Sequence, residues 1–198
     1  MRKRPGPSDN QAMTARLPLP PCIIDVEASG FGAGSYPIEV GAALSDGGAY
    51  CSLIHPEPDW RHWAPSAESV HGITRDTLAT HGKAAAVVAA DLNQYLAGTT
   101  VYTDAWYHDY QWLARLFDAA NLPQRFKLQD LRQLLSPSAM ALWDDTKAQV
   151  MQEMNLTRHR ASNDAKVLQR TLQRVMEQEA VATEANRPPA AYTGQTVS

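Results

Sequence analysis

Cys22-Ile23-Ile24-Asp25-Val26-Glu27-Ala28-Ser29-Gly30 is the stretch from which we predict the architecture of this chain. Its first half is short, apolar and β-branched, which is typical of a strand buried on both faces. Asp25 and Glu27 interrupt this run one residue apart, and strand side chains two positions apart point to the same side. Two adjacent carboxylates on an apolar strand repel each other and lose hydration unless a cation lies between them. The stretch therefore predicts a metal site, while a strand end at which both acids reach water is the alternative interpretation.

The composition is that of an ordinary globular protein. Hydrophobic residues make up 44% and charged residues 20% of the chain, as in most soluble domains. A length of 198 residues is enough to form the core of a single domain. No apolar run has membrane-spanning length, and the basic start, Met1-Arg2-Lys3-Arg4, leads into proline and polar residues rather than a secretory signal. Because Cys22 and Cys51 are the only cysteines, we expect no disulfide framework and a cytoplasmic location. Because no apolar run is long enough to span a bilayer, we also expect no membrane partner. The net charge of −3 argues against a protein that coats long duplex DNA, but not against an enzyme that grips a chain end.

We predict three segments: a flexible N-terminal arm at 1–20, a domain at 21–181 and a flexible C-terminal tail at 182–198. Within the domain, turn residues and apolar periodicity predict a first strand, a hairpin, and then helices that alternate with short strands. The further strands are expected at 38–44, 49–54, 101–103 and 126–128, and the longer helices at 84–96, 109–120, 139–154 and 163–179. This order favours an α/β fold with a mixed sheet.

Two more acids occupy inward-facing helix positions. Asp109 is followed by apolar residues at three, four and seven positions, and Asp164 by apolar residues at three, four and eight positions, so both acids point toward the core. Ser162 or Asn163 is expected to cap the second helix. An acid in a first turn is commonly only a partner of the helix dipole, but two of them together with the strand pair predict one cluster. Oxygen ligands without cysteine suit Mg²⁺ or Mn²⁺.

His159 lies five residues before Asp164, in a non-helical segment between Arg158 and Arg160. From there its ring could reach an acid cluster that contains Asp164, and a pKa near neutrality would suit it to act as a general base. A loop histidine between two arginines is by default a solvated residue, so the spacing alone leaves both interpretations open.

The order Asp25-x-Glu27, Asp109, His159-x-x-x-x-Asp164 resembles the DEDDh group of the DnaQ-like 3′–5′ exonucleases, which belong to the ribonuclease H-like superfamily. The resemblance runs from about residue 22 to residue 172, nearly the whole predicted domain. Three further segments are similar to the family's pattern: Pro37-Ile38-Glu39-Val40-Gly41-Ala42, Val70-His71-Gly72-Ile73-Thr74 and Asp109-Tyr110-Gln111-Trp112-Leu113. Each motif is weak alone, but together and in the family's order they are specific.

The resemblance implies a five-stranded mixed sheet whose second strand is antiparallel, flanked by helices. It also implies 3′–5′ hydrolysis of phosphodiester bonds with two divalent ions, Mg²⁺ or Mn²⁺, and release of nucleoside 5′-monophosphates. The substrate would be a nucleic acid with a free 3′ end, preferably single-stranded. His159 would take the proton from the attacking water. The expected metal ligands are Asp25, Glu27, Asp109 and Asp164, and the expected substrate contacts are Ala28, Ser29 and His71.

The middle motif departs from the family's pattern. Asp104 stands where many relatives have asparagine, and His108 replaces the usual aromatic residue before Asp109. Asp104 is therefore a rival ligand, but it follows a strand directly and lacks the helical register of Asp109. We expect Asp109 to be the middle ligand.

Several alternatives remain open at this point. An oligoribonuclease-like enzyme for short RNA would use the same residues, whereas a catalytically inactive module would bind nucleic acid or a partner without turnover. The intact acids and His159 count against the inactive module. A homodimer is considered because some relatives dimerise. Trp60 and Trp63 flank basic residues in a pattern that can stack bases, although packing at the edge of the core is the favoured interpretation.

Overall fold

A mixed β-sheet forms the centre of the protein, which we describe for residues 19–185 of a computed structural model. Its strands are β1 (Cys22–Ala28), β2 (Pro37–Ala43), β3 (Ala49–Leu53), β4 (Thr100–Thr103) and β5 (Lys127–Asp130). The five strands lie in the order β3-β2-β1-β4-β5. β2 pairs antiparallel with β1 and β3, whereas β4 pairs parallel with β1 and β5. The predicted five-stranded mixed sheet with an antiparallel second strand is therefore confirmed.

Helices flank this sheet. They are α1 (Pro65–His71), α2 (Arg75–His81), α3 (Ala85–Leu96), α4 (Trp106–Ala119), α5 (Pro137–Met154) and α6 (Ala161–Ala185), with a 3₁₀ turn at Leu131–Leu134. Within residues 19–185, no helix combines the length and the apolarity that a bilayer crossing requires. Most of the predicted arm and tail, residues 1–18 and 186–198, lies outside the described residues.

The alternation of side chains along β1 supplies two cores. Ile24 and Val26 belong to a large core that also contains residues of α3 and α4. Ile23 points the other way and packs with Leu168 and Leu172 of α6. Because strand side chains alternate, the two acids of β1 share the face of Ile23 and lie on the side covered by α6.

Gly41 of β2 marks the closest approach between the sheet and a helix. A Cβ atom on Gly41 would lie 2.0 Å from the backbone nitrogen of Ser162 and 2.3 Å from the carbonyl carbon of Ala161. In the strand register Gly41 lies opposite Asp25. A residue without a side chain therefore lets the first turn of α6 begin directly beside Asp25.

The helix boundaries differ from the predicted ones where long-range contacts act. α4 begins at Trp106 and places Asp109 in its first turn rather than at its start. α6 begins at Ala161, so Ser162 and Asn163 lie inside the first turn, and their predicted capping role is wrong. The backbone N–H of Ala161 instead donates to Glu39 of β2, a partner that local sequence cannot indicate. α6 also continues to Ala185, four residues beyond the predicted domain end at 181.

The outer edge of β5 is partly covered by the start of α4. Lys127 donates its backbone N–H to Thr99 on the β4 side, so the next carbonyl, that of Leu128, faces the free edge because successive peptide groups alternate along a strand. The indole Nε1–H of Trp106 donates to this carbonyl at 3.2 Å.

Replacement of Gly41 tests the contact between β2 and α6. Gly41→Ala should lower the free energy of unfolding by about 1–3 kcal/mol or more, because the added Cβ overlaps backbone atoms that cannot rotate away. Gly48→Ala is the matched control, since its Cβ would meet only side-chain atoms of Asp46 and Leu44. Urea unfolding of both variants gives the comparison, and equal losses would contradict the close approach at Gly41.

Candidate active site

The predicted acids meet at one edge of the sheet, where the carboxyl ends of the parallel strands β1 and β4 lie together. Asp25 and Glu27 come from β1, Asp109 from the first turn of α4, and Asp164 from the first turn of α6. The four acids and His159 line one cleft of about 580 Å³. The structure therefore brings together all five residues that the sequence analysis selected as ligands or general base.

Three of these side chains are close enough to share a cation. One potential ligand atom each from Glu27, His159 and Asp164 lies within 4.8 Å of the other two. The backbone N–H of His159 donates to Asp164 Oδ2 at 2.9 Å, and His159 has a left-handed φ of 57°. This turn fixes the histidine relative to the carboxylate. Carboxylate oxygens suit Mg²⁺ and Mn²⁺, and imidazole nitrogen is also accepted by transition metals, so the donor set fits a divalent cation.

The acids also raise one another's pKa. Burial raises the pKa of Asp25 well above its usual value, and the charges of Asp109, Glu27 and Asp164 raise it further. Burial and then Asp164 raise the pKa of Glu27 to about 7. Burial raises the pKa of Asp109 to about 8, against the opposing effect of a hydrogen bond from Thr103. Poorly hydrated carboxyls that repel one another are stabilised by a bound cation, so the electrostatics agree with the donor set.

Asp109 and Asp104 face different spaces. Asp109 is 1% exposed, accepts a hydrogen bond from Thr103 Oγ1 and lines the main cleft. Asp104 lies 3.1 Å from Lys147 Nζ and borders a smaller neighbouring pocket instead. This placement favours Asp109 over Asp104 as the acid that faces the cleft.

The three expected substrate contacts fall into two groups. Ala28 and His71 line the main cleft, whereas Ser29 does not. The Ser29 hydroxyl accepts the backbone N–H of Tyr36 and hydrogen-bonds His62 Nδ1, so the protein itself uses this group to hold the loop after β1. The structure thus gives Ser29 a structural position behind the cleft rather than a side-chain contact in it.

His71 is buried in the wall of the cleft. Its Nδ1 accepts the backbone N–H of Ile73 at 3.0 Å, which leaves Nε2 to carry the proton when the ring is neutral. Nε2 lies next to the backbone of Ala28 but has no partner of good geometry among residues 19–185. Burial lowers the pKa of His71, so the ring is neutral, and its Nε2–H is enclosed in the wall beside the backbone of Ala28.

Three aromatic rings in the cleft wall were not among the predicted site residues. Phe31 is 70% exposed, and its ring centroid lies 5.0 Å from that of His108 and 5.9 Å from that of Trp112. His108 and Trp112 stack at 5.6 Å, four residues apart on α4. The spacing of the two α4 rings was visible in the sequence, but their contact with Phe31, after β1, was not.

Trp60 and Trp63 pack as the favoured interpretation predicted. Trp60 is 5% exposed and stacks on Tyr36. Trp63 donates its indole N–H to Glu68 and lies beneath the guanidinium of Arg75. Neither tryptophan lines the main cleft, so these rings support the loop before α1.

Glu39 is a further residue that positions the site, and it was not among the predicted site residues. It is fully buried in β2 and accepts hydrogen bonds from Arg160 Nη2 at 2.6 Å and Nε at 3.0 Å. It also accepts the backbone N–H of Ala161 at 2.8 Å. Glu39 therefore ties the start of α6, and with it Asp164, to the sheet. The sequence does show a charged residue inside the apolar run 37–43. It gives no indication that the partner of this residue, Arg160, lies 121 positions away.

Comparison with known families agrees with this site. The family model described as Exonuclease (RNase_T) matches residues 22–172. This match covers most of the chain and contains all the predicted ligands and His159. The chain therefore belongs to this exonuclease family, as its DEDDh pattern predicted, within the ribonuclease H-like superfamily. No curated protein sequence matches the chain significantly.

Solved structures of exonuclease I share the fold. Exonuclease I from Methylocaldum szegediense superposes with a TM-score of 0.62 at 14% identity, over 84% of this chain and 43% of that one. E. coli exonuclease I in complex with a dT13 oligonucleotide gives 0.62 at 14% identity, over 83% and 42%. The zinc-ion-bound form of the E. coli ExoI–ssDNA complex gives 0.54 at 15% identity, over 84% and 41%. This chain spans less than half the length of these proteins, and at this identity the likeness concerns the fold.

The raised pKa values predict a pH-dependent stability of the metal-free protein. The carboxyls of Glu27 and Asp109 keep their protons in the fold up to pH about 7 and 8 but lose them near pH ~4 in the unfolded chain. Raising the pH from 4 to 8 therefore favours unfolding. Asp109→Asn, which removes one of these carboxyls, should melt at a higher temperature than the unaltered protein at pH 8, by a margin that shrinks toward pH 4.

Thermal melts in chelator across this pH range provide the measurement. Added Mg²⁺ or Mn²⁺ should raise the melting temperature of the unaltered protein at pH 8. The same melting temperature for both proteins at every pH would show that the Asp109 carboxyl does not destabilise the metal-free fold and that its pKa is not raised.

Proposed function

We propose that this chain is a metal-dependent 3′–5′ exonuclease that removes nucleoside 5′-monophosphates from the end of single-stranded nucleic acid. The convergence of four acids and His159 at one end of a cleft with an aromatic wall carries this proposal. Membership of the exonuclease family gives the class of reaction. The direction of attack, the substrate and the metal are the proposed parts.

The acids would hold two divalent cations, Mg²⁺ or Mn²⁺. When bound, such ions stabilise the attacking and leaving oxygens of an in-line displacement at phosphorus. Asp25, Glu27 and Asp164 would be the principal ligands, and Asp109 would complete the set. The pKa values of these carboxyls are raised when the site holds no cation, so loading would release protons and relieve their mutual repulsion.

His159 would act as the general base. Its ring lies at the mouth of the acid cluster, within 4.8 Å of the Glu27 and Asp164 ligand atoms, where it can accept a proton from the attacking water. The hydrogen bond from its own backbone N–H to Asp164 Oδ2 would hold the histidine beside this carboxylate. The same geometry would let His159 bind a cation directly, and replacement of His159 distinguishes these two roles.

The aromatic wall would hold the terminal nucleoside. Base stacking on aromatic rings contributes about 1–3 kcal/mol per base and tolerates every base. Phe31, His108 and Trp112 present ring faces and edges to the cleft, and His71 forms part of the same wall. Exonuclease I has been solved in complex with dT13 and dA16 oligonucleotides, which supports a single strand as the substrate.

Hydrolysis of labelled oligonucleotides tests the proposed activity. Purified protein is incubated with 5′-labelled single-stranded DNA and RNA of several lengths, with Mg²⁺, with Mn²⁺ and with chelator. We expect a ladder that shortens from the 3′ end and disappears with chelator and in Asp25→Asn, because that change removes a ligand oxygen charge. Cleavage of only the shortest RNA would indicate the oligoribonuclease-like enzyme. Binding of strands without hydrolysis under any condition would indicate the inactive module and would refute our proposal.

Replacement of His159 tests the general base. His159→Ala should lower turnover by about 10²–10⁴-fold while metal binding, followed by calorimetry with Mn²⁺, changes little. A loss of metal affinity that matches the loss of turnover would make His159 a ligand instead, and unchanged turnover would remove it from the mechanism. Thr157→Ala, at an exposed position two residues earlier in the same loop, is the control for general disturbance of the loop.

A further inference from the structure

A second, smaller pocket opens on the other side of the acid cluster. It has a volume of about 140 Å³ and shares Asp25 and Asp164 with the main cleft. Lys147 of α5 and Arg158 of the loop before α6 stand at its rim, and apolar side chains of α5 and α6 complete its wall. The two shared carboxylates therefore lie between two openings.

The two openings differ in charge. Among the described residues that line the main cleft there is no lysine and no arginine, and the only charged side chains in its wall besides its three histidines are the four acids. The smaller pocket carries two cationic side chains beside its acids. The main cleft is thus suited to a nucleoside and to cations, whereas the smaller pocket offers the groups that an incoming anion requires.

Both cations of the smaller pocket retain capacity for a ligand. Lys147 Nζ lies 3.1 Å from Asp104 Oδ2, and the two side chains are 32% and 34% exposed. An ammonium group has three hydrogens to donate, so the contact with Asp104 leaves two. Arg158 is exposed and forms no ion pair with any residue between 19 and 185. A guanidinium in this state is available to a phosphate.

We propose that this pocket binds the backbone phosphate on the 5′ side of the scissile bond through Lys147 and Arg158. The inference rests on the proposed exonuclease activity. With the terminal nucleoside in the main cleft and the scissile phosphate at the acids, the rest of the strand continues from the other side of the acids, where the pocket opens. The contact recognises the charge of a phosphodiester and no base, so it is independent of sequence. Because one linkage is cleaved and the next one occupies the pocket, it favours strands with at least two linkages.

Removal of a single phosphate charge from the substrate tests this contact. The substrates are a 5′-labelled single-stranded DNA with natural linkages and the same strand with an uncharged methylphosphonate at the second linkage from the 3′ end. The scissile linkage is natural in both. Removal of the terminal nucleotide is measured in a single turnover at subsaturating enzyme, and the ratio of the two rates reports the contact. A strand with its methylphosphonate at the fifth linkage is the substrate control.

The unaltered protein should cleave the natural strand about tenfold faster than the strand modified at the second linkage, the size expected for two partly exposed charged contacts to one phosphate. In Lys147→Met and Arg158→Gln the ratio should fall toward one, and the dependence of log rate on log salt should become shallower by about 0.7 for each cationic side chain removed from the phosphate. Lys83→Met, which removes a lysine paired with Asp91 outside both openings, should keep the ratio of the unaltered protein.

The outcomes separate the two proposals. Hydrolysis of both strands with a ratio of one in the unaltered protein would overturn the phosphate pocket and leave the exonuclease intact. A ratio that stays at tenfold in both pocket variants would place the contact elsewhere and would equally overturn the assignment to Lys147 and Arg158. Absence of hydrolysis on any natural strand would overturn the proposed function and the pocket with it.

Discussion

The contact between Glu39 and the start of α6 holds the site together. A carboxylate from the second strand accepts hydrogen bonds from the Arg160 guanidinium and from the first backbone N–H of the helix. Glu39 is fully buried whereas the Arg160 side chain is 43% exposed, and a buried carboxylate that lost these donors would be left poorly hydrated and unpaired. Gly41, two residues along the same strand, has no side chain to keep the helix away. Together they bring the first turn of α6 to the acids of β1.

This anchoring is needed because the acid cluster itself opposes the fold. Burial and mutual repulsion raise the pKa values of Asp25, Glu27 and Asp109, which means that the ionised cluster destabilises the protein that carries it. The two hydrophobic cores on either side of the sheet supply the opposing stability. The distribution is that expected of a functional site, where local energetics conflict with folding and are offset elsewhere.

The parts of the structure that follow from local periodicity could be predicted from the sequence. The two acids of β1 follow from strand alternation, and the inward positions of Asp109 and Asp164 follow from helical register. Contacts between residues far apart in the chain could not. Glu39 and Arg160 form an ion pair although they lie 121 positions apart, and Lys147 and Asp104 do so at a separation of 43. No local sequence pattern predicts either pair. The predicted caps of α6 failed for the same reason, because the helix takes its first hydrogen-bond acceptor from a distant strand.

Ser29 shows a related limit. The motif placed it correctly after the strand, but residue type did not reveal that its hydroxyl would be taken up by Tyr36 and His62. Conversely, the exposed ring of Phe31 in a glycine-containing loop gave little sign that it would meet two rings of α4. The sequence gives the chemical groups of each side chain. Which residues bind or contact those groups depends on the folded geometry.

The hydrogen bond from Trp106 to the Leu128 carbonyl also affects how the protein behaves toward copies of itself. β5 is the last strand on its side of the sheet, and an uncovered edge strand is a template for pairing with another chain and for aggregation. Here the strand is only four residues long and begins and ends with charged side chains, and an indole N–H donates to one of its outward carbonyls. The helix that contributes Asp109 to the cleft therefore also takes up one hydrogen-bond acceptor of this edge, which leaves one group fewer for a neighbouring strand to pair with.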